Sequence, residues 1–378
     1  MVNLSMIENP FVLSGYISPD YFCDRESETE NLVSALRNGR NVTLRSPRRI
    51  GKTGLIHNAF HRLREANPEV ACFYVDIFST KSLQDFVAEL AKAILGQLDT
   101  PWQKAEGVLS QLLRSAHLTL SSDPVTGSPQ VGLSFQPEQT RATLSELFSY
   151  MRHSGRECFV AIDEFQQIAE YPEGGVEALL RAEVQQCTNV HFIFSGSRLH
   201  LMDSIFTSPK RPFFRSTEKL SLDILPEPVY YAFAAKWLKK VRSTLSEEVF
   251  HELYSRVDGV TWYVQYLLNR LYQLRPSEIK AEDVSAALET IVRGEADDYR
   301  KFYSLLTLNQ SQVLRAVAKE HRVTSLTSKE LLRRYNLPAA SSVQRAADFL
   351  MDKEYIYRAD DGYLVYDRFF ALWLQQLP

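Results

Sequence analysis

The chain has 378 residues, 45% hydrophobic and 24% charged, which is ordinary globular usage and excludes disordered, collagen-like and coiled-coil classes. At roughly 100–200 residues per domain, the length predicts two or three domains. Forty-three basic and 46 acidic residues give a net charge of −3, which argues against a surface built throughout to grip nucleic acid but leaves room for a local basic face.

The four cysteines, Cys23, Cys72, Cys158 and Cys187, form no CxxC pair, so neither a zinc site nor a disulfide framework is expected. Cys72 and Cys158 open apolar runs, where cysteine acts as a small hydrophobe, and this suits a reducing compartment. Residues 1–16 carry no Lys or Arg and no long apolar stretch, so no secretory signal is expected. No apolar run reaches the roughly 18 residues of a membrane helix. The expectation is a cytoplasmic protein without a membrane span.

From about residue 20 to 225, short β-type runs alternate with helical stretches. The runs are 41–45 (NVTLR), 72–77 (CFYVDI), 158–163 (CFVAID), 191–196 (HFIFSG) and 218–225 (EKLSLDIL). This rhythm predicts an α/β fold with a parallel sheet. Residues 118–135 (LTLSSDPVTGSPQVGLSF) break it and read as a hairpin inserted between the second and third sheet strands. From Pro226 to Tyr303 the pattern is helical throughout, and Leu225-Pro226-Glu227-Pro228 is a plausible boundary because proline breaks a strand and suits a helix start.

Residues 304–378 predict a winged helix. Helical patterns cover 310–319, 327–335 and 341–353. Two short strands then flank Ala359-Asp360-Asp361-Gly362. The expected domains are therefore 1–225, 226–303 and 304–378.

The strongest chemistry follows the first strand. Ser46-Pro47-Arg48-Arg49-Ile50-Gly51-Lys52-Thr53, with Gly54 next in the helix, fits the phosphate-loop pattern GxxxxGK[ST] except for serine at its first position. Such a loop turns backbone N–H groups toward phosphate oxygens at a helix N-terminus, where anions are favoured. Lys52 is expected to reach the β- and γ-phosphates, and the Thr53 hydroxyl to ligate Mg²⁺. Ser46 is compatible with this geometry provided its φ is negative.

A second motif, Phe159-Val160-Ala161-Ile162-Asp163-Glu164, is a buried strand ending in two carboxylates. Burying unpaired charge is costly, so the pair must serve something. Asp163 is expected to hold Mg²⁺, directly or through water, and Glu164 to orient and deprotonate the attacking water. No guanine-reading Asn/Thr-Lys-x-Asp motif occurs, which favours ATP/ADP. A third strand, 191–196, runs into Ser197-Arg198. Ser195, Ser197 and Arg198 are its candidates for a γ-phosphate contact, against a plain strand-to-loop transition.

With these motifs the chain resembles the archaeal-type ATPase family of the AAA+ superfamily, related to the signal-transduction ATPases with numerous domains. The resemblance covers roughly residues 8–370. It rests on Asn9-Pro10-Phe11, Phe22-Cys23-Asp24-Arg25-Glu26, Arg48-Arg49-Ile50-Gly51-Lys52-Thr53, Ile162-Asp163-Glu164-Phe165-Gln166, Gly196-Ser197 with Leu201-Met202, and Phe213-Phe214-Arg215. It implies a P-loop sheet of order 5-1-4-3-2, a helical lid over 226–303 and a C-terminal winged helix, with the nucleotide between core and lid. It also implies that Phe22 and Arg25 lie beside the adenine, that Ser197 or Arg198 senses the γ-phosphate, and that Arg215 acts as an arginine finger in cis or from a neighbouring copy. The plain alternative for Arg215 is a surface salt bridge.

Thr261 stands where the family has a lid proline. Trp262 and Tyr263 after it are either helix core or adenine-stacking residues.

The function these readings imply is a slow Mg²⁺-dependent ATPase that signals through lid and winged helix to a protein partner, with nucleotide-dependent homo-oligomerisation as an option. The alternatives are a DNA-binding ATPase and a nucleotide binder with little turnover. Residues 305–378 carry 10 basic and 8 acidic residues, a net of +2, which is a faint footprint for DNA. Ser341, Ser342, Gln344 and Arg345 lie on the outer face of the third helix near its start, but Asp348, Asp352 and Glu354 follow on the same stretch. Lys236, Lys239, Lys240 and Arg242 form either a solvated helix face or a partner patch.

Overall fold

A computed structural model describes residues 9–95, 116–122, 129–135, 139–359 and 361–377. The strands up to residue 224 are β1 (Val42–Arg45), β2 (Ala71–Asp76), β3 (Ala116–Ser122), β4 (Pro129–Phe135), β5 (Cys158–Asp163), β6 (Val190–Gly196) and β7 (Glu218–Ser221). Five of them form one parallel sheet in the order β2-β5-β6-β1-β7. Counted within the sheet alone, this is the 5-1-4-3-2 order that the resemblance implied. β3 and β4 pair antiparallel as the separate hairpin expected from the alternating pattern, and the turn joining them lies outside the described residues.

Burial follows position in the sheet. Every residue of β5 and β6 is buried, as central strands of a covered parallel sheet require, whereas edge strand β7 is largely exposed. β7 is shorter than the run 218–225 suggested. One more ladder bond joins Leu222 N–H to Arg45 C=O, and the chain then leaves the sheet where the Asp223 carbonyl accepts from Arg25 at 2.5 Å.

Helices α1 (Glu26–Arg37), α2 (Lys52–Ala66), α3 (Leu83–Leu95), α4 (Thr140–Arg152), α5 (Val176–Gln185) and α6 (Leu199–Thr207) accompany the sheet. Phe165, Phe194, Phe206 and Phe213 interlock with ring centroids 4.5–5.7 Å apart. This cluster braces the segment after β5, which carries the acidic pair.

The chain divides into two compact units, residues 14–224 and residues 225–378 with the first thirteen. In the second unit, α7 (Glu227–Lys240), α8 (Glu247–Arg256), α9 (Thr261–Leu274), α10 (Ala281–Gly294) and α11 (Ala296–Ser304) precede the winged helix. The winged helix comprises α12 (Leu308–Lys319), α13 (Lys329–Arg334), α14 (Ala340–Asp352), the hairpin Ile356–Ala359 with Gly362–Val365, and α15 (Arg368–Gln375).

Two features depart from the sequence reading. A two-residue parallel pairing of Thr244–Leu245 with Glu278–Ile279 interrupts the helical stretch. The final helix α15 is the other. Its cap is Asp367, whose carboxylate accepts from the Phe369 and Phe370 N–H groups at 3.0 Å.

The helices before the winged helix and the winged helix itself pack together inside this unit. Tyr263 is fully buried, with its ring edge-on to Phe369 at 4.8 Å. Trp262 lies 6.3 Å from Phe369 and donates to the Leu13 carbonyl. Trp262 and Tyr263 therefore serve as packing residues here. Residues 9–13 are tied to α9 by a reciprocal pair of side-chain bonds, Asn9 to the Asn269 carbonyl and Asn269 to the Phe11 carbonyl.

Arg368 is the polar centre of this packing. It is buried, donates to the Val365 carbonyl at 2.6 Å and the Tyr357 hydroxyl at 2.7 Å, and places Nε 3.0 Å from the Asp258 carboxylate, outside hydrogen-bond alignment. Removing one partner of a buried pair costs about 3–5 kcal/mol, less here because Asp258 is partly solvated. Arg368→Met is therefore expected to destabilise this unit by about 2–3 kcal/mol and lower its Tm by roughly 5–10 °C. Thermal unfolding checks this, and an unchanged Tm would show the pair to be energetically idle.

Candidate nucleotide-binding site

β1 delivers the chain into the phosphate loop, and α2 receives it. Ser46 is buried with negative φ, the condition under which serine fits the first loop position, and its hydroxyl donates to the Pro47 carbonyl. The left-handed turns fall at Arg49 (φ 67°) and Gly51 (φ 103°). Gly51 is the N-cap of α2, and a side chain there would be strained. Arg48 reaches from the loop to Ser197, Nε to Oγ 3.4 Å, and lies over the Phe78 ring.

Lys52 is buried. Its ammonium donates to the carbonyls of Ser46 at 3.0 Å and Pro47 at 3.1 Å, and no carboxylate lies within ion-pair distance among the described residues. Burial pushes its pKa down, while the charges of Glu164 and Asp163 pull it back up. A buried cation satisfied only by carbonyls, at a helix N-terminus, suits a phosphate anion.

The acidic pair stands at the end of β5. Asp163 is buried. Its Oδ2 accepts from the Tyr74 hydroxyl at 2.6 Å and the Thr53 hydroxyl at 3.3 Å, and Oδ1 from the Glu164 N–H at 3.0 Å. Burial and the Asp163 carboxylate drive the Tyr74 phenol far above its ordinary pKa, so it remains a donor. Glu164 has left-handed φ (56°). Its Oε2 accepts from Gln166 Nε2 at 2.5 Å and Ser197 Oγ at 2.7 Å. Gln166 lies in a slot that exists because residue 196 is glycine: a Cβ there would stand 2.3 Å from Gln166 Oε1.

The structure thus brings together Ser46, Pro47, Arg48, Lys52, Thr53, Asp163, Glu164 and Ser197. Of the third strand's candidates, Ser197 meets the acidic pair, Ser195 is fully buried, and Arg198 pairs with Glu170. Arg215 is exposed with its guanidinium over Phe214, and no hydrogen bond or ion pair joins it to the loop or acidic pair. Phe22 covers the first turn of α2: a Cβ on Gly54 would come within 2.7 Å of its ring.

Arg25 is buried behind the loop. It donates to the Ile50 carbonyl at 3.2 Å and pairs with Glu28 at 2.7 Å, so its side chain anchors the loop from outside. Tyr74 and Gln166 had no role in the sequence reading. Tyr74 has a signal in hindsight, because it shares a strand face with Asp76 at the sheet end that carries the acids.

The loop, the acidic strand end and the sheet order define a P-loop NTPase fold. Residues 36–203 match a family described as an AAA domain, and residues 297–376 match one described as a "Probable winged helix domain". The chain thus carries an AAA domain followed by a winged helix domain, a combination consistent with the archaeal-type AAA+ resemblance of the motifs.

Among solved structures it is similar to a Walker-type ATPase of Pyrococcus abyssi, with 20% identity over 97% of this chain and 99% of that one and a TM-score of 0.65. It is also similar to the Aeropyrum pernix ORC2 protein in ADPNP–ADP complexes, with 16% identity over 97% and 95% and a TM-score of 0.60. A third likeness is to the A. pernix ORC1 protein in complex with DNA, with 16% identity over 97% and 96% and a TM-score of 0.53. At these identities the likeness is one of fold. No curated protein matches the chain significantly. No helix among the described residues is long and apolar enough to cross a membrane.

Proposed function

We propose that the protein binds and slowly hydrolyses ATP with Mg²⁺ and works as a switch, passing its nucleotide state through lid and winged helix to a protein partner. The observation that carries ATP binding is Lys52, a buried ammonium that among the described residues donates to two loop carbonyls, close to the buried Asp163 and half-buried Glu164 carboxylates. Thr53 and Asp163 would hold Mg²⁺, which when bound supplies charge neutralisation on the phosphates. Glu164 orients and deprotonates the attacking water, and Ser197 and Gln166 hold its carboxylate in place. The roles of Phe22, Arg25, Arg49, Ile50, Gly51 and Gly54 are to shape the loop and its edge. Arg215, exposed on its loop, is available to a neighbouring copy in a nucleotide-dependent oligomer.

The output side of the proposal rests on the packing of α9 against α15, which ties the helices before the winged helix to it as one body. A protein partner is favoured because several winged-helix cations are already engaged by acids. Arg334 pairs with Glu320 and Glu330, Arg322 with Asp361, and Lys353 with Asp352.

DNA is the second reading. It is favoured by the likeness to a protein whose structure holds DNA, and by Ser341, Ser342 and Arg345 on the exposed first turns of α14. Steady-state ATP hydrolysis with and without duplex DNA at two salt concentrations separates the two. Turnover is expected to be unchanged by DNA within about twofold, whereas stimulation that collapses as salt rises would establish the DNA-directed enzyme.

A further inference from the structure

We infer that Tyr74 is a positioning residue for Asp163, fixing the carboxylate through which Mg²⁺ strengthens nucleotide binding; this rests on the nucleotide-binding reading above. Three elements converge on one oxygen. β2 supplies the Tyr74 hydroxyl at 2.6 Å, α2 supplies the Thr53 hydroxyl at 3.3 Å, and β5 supplies the acceptor, Asp163 Oδ2. The other oxygen, Oδ1, takes the Glu164 N–H at 3.0 Å.

A carboxylate with two donors on one oxygen and one on the other has little freedom to rotate. The remaining lone pair is then aimed before any cation arrives. At 3.3 Å Thr53 is the weaker donor and its oxygen would also serve the metal as a ligand, whereas Tyr74 donates at 2.6 Å and is not among the residues that would hold the metal. Tyr74 is therefore the donor that can hold Asp163 throughout.

The ring is itself held. His57 lies on α2 four residues after Thr53, so both face the same side of the helix, and its ring is 4.8 Å from that of Tyr74. Tyr16 continues the stack, 6.0 Å from His57, with its hydroxyl bonded to Asn58. The helix that carries the phosphate-loop threonine thus also braces the tyrosine that orients the aspartate. Groups that orient a metal's ligands typically change metal affinity by 10–100-fold when removed.

The test is equilibrium binding of a fluorescent ATP analogue, titrated with Mg²⁺, in wild type, Tyr74→Phe and His57→Ala. Tyr74→Phe keeps the ring contact and removes only the donor. The Mg²⁺ concentration that gives half of the affinity gain should rise roughly tenfold, while binding in EDTA stays within about twofold of wild type. A purely structural role would instead weaken binding with and without Mg²⁺ alike.

A Mg²⁺ midpoint within about twofold of wild type overturns the inference. His57→Ala leaves the hydroxyl but loosens the ring, so it should shift the midpoint in the same direction by roughly threefold, and it carries the test if Tyr74→Phe does not fold. Wild-type protein that binds no nucleotide in a Lys52-dependent way would sink the nucleotide-binding reading itself, and the inference with it.

Discussion

Replacing Glu164 with glutamine is expected to lower ATP turnover by a factor of about 10²–10⁴ while ATP binding stays within about twofold of wild type. The substitution suits this position because of how the side chain is held. Ser197 Oγ and Gln166 Nε2 both donate to the same oxygen, Oε2. A glutamine carbonyl can accept both bonds, so the clamp keeps its donors and the backbone keeps its left-handed turn. What the amide lacks is a lone pair basic enough to take a proton from water. Loss of turnover with retained binding therefore reads the chemistry and not the fold. Steady-state phosphate release, paired with titration of a fluorescent ATP analogue, checks both halves. Turnover that survives the change would move the base elsewhere and leave Glu164 as a structural acceptor for Ser197 and Gln166.

The parts of this molecule that were legible in the sequence are those governed by local spacing. β5 reads as six consecutive core residues ending in Asp163 because a central parallel strand is buried on both faces, and the run CFVAID shows it directly. The phosphate loop is legible because Gly51 and Lys52-Thr53 must sit between a strand and a helix. The left-handed turn at Arg49 was not, because arginine carries no preference for positive φ and only the closed loop imposes it.

Arg25 shows the limit of motif transfer. Its place in the motif pointed to the nucleotide, but its guanidinium is spent on the Ile50 and Asp223 carbonyls, the latter 198 positions away in the chain. Tyr74 was hidden for a similar reason. Its partner Asp163 is brought alongside by the pairing of β2 with β5, and no local pattern encodes which strands become neighbours. Helix α15 was missed although its signals were present, with Asp367 as a cap and Phe369, Phe370, Trp373 and Leu374 at helical spacing.

Lys52→Ala is expected to abolish stabilisation by ATP while changing the nucleotide-free protein little. At 100 times Kd a ligand stabilises the state it binds by about 2.7 kcal/mol, which for a unit of this size raises Tm by roughly 5–10 °C. The variant's ATP-induced shift should fall below about 1 °C. The unliganded protein is subject to opposing effects. Lys52 is a buried ammonium whose pKa is pushed down by desolvation, so removing it relieves a strained charge. Its removal also leaves the Ser46 and Pro47 carbonyls without their donor and takes a favourable positive charge away from Asp163 and Glu164. Because these effects oppose one another, Tm without nucleotide is the wrong readout, and the difference between scans with and without ATP and Mg²⁺ is the right one. A variant that kept the full shift would place the phosphates away from Lys52 and end the P-loop assignment. A variant that lost the shift while Glu164→Gln retained it would divide the site into a residue that binds and a residue that acts.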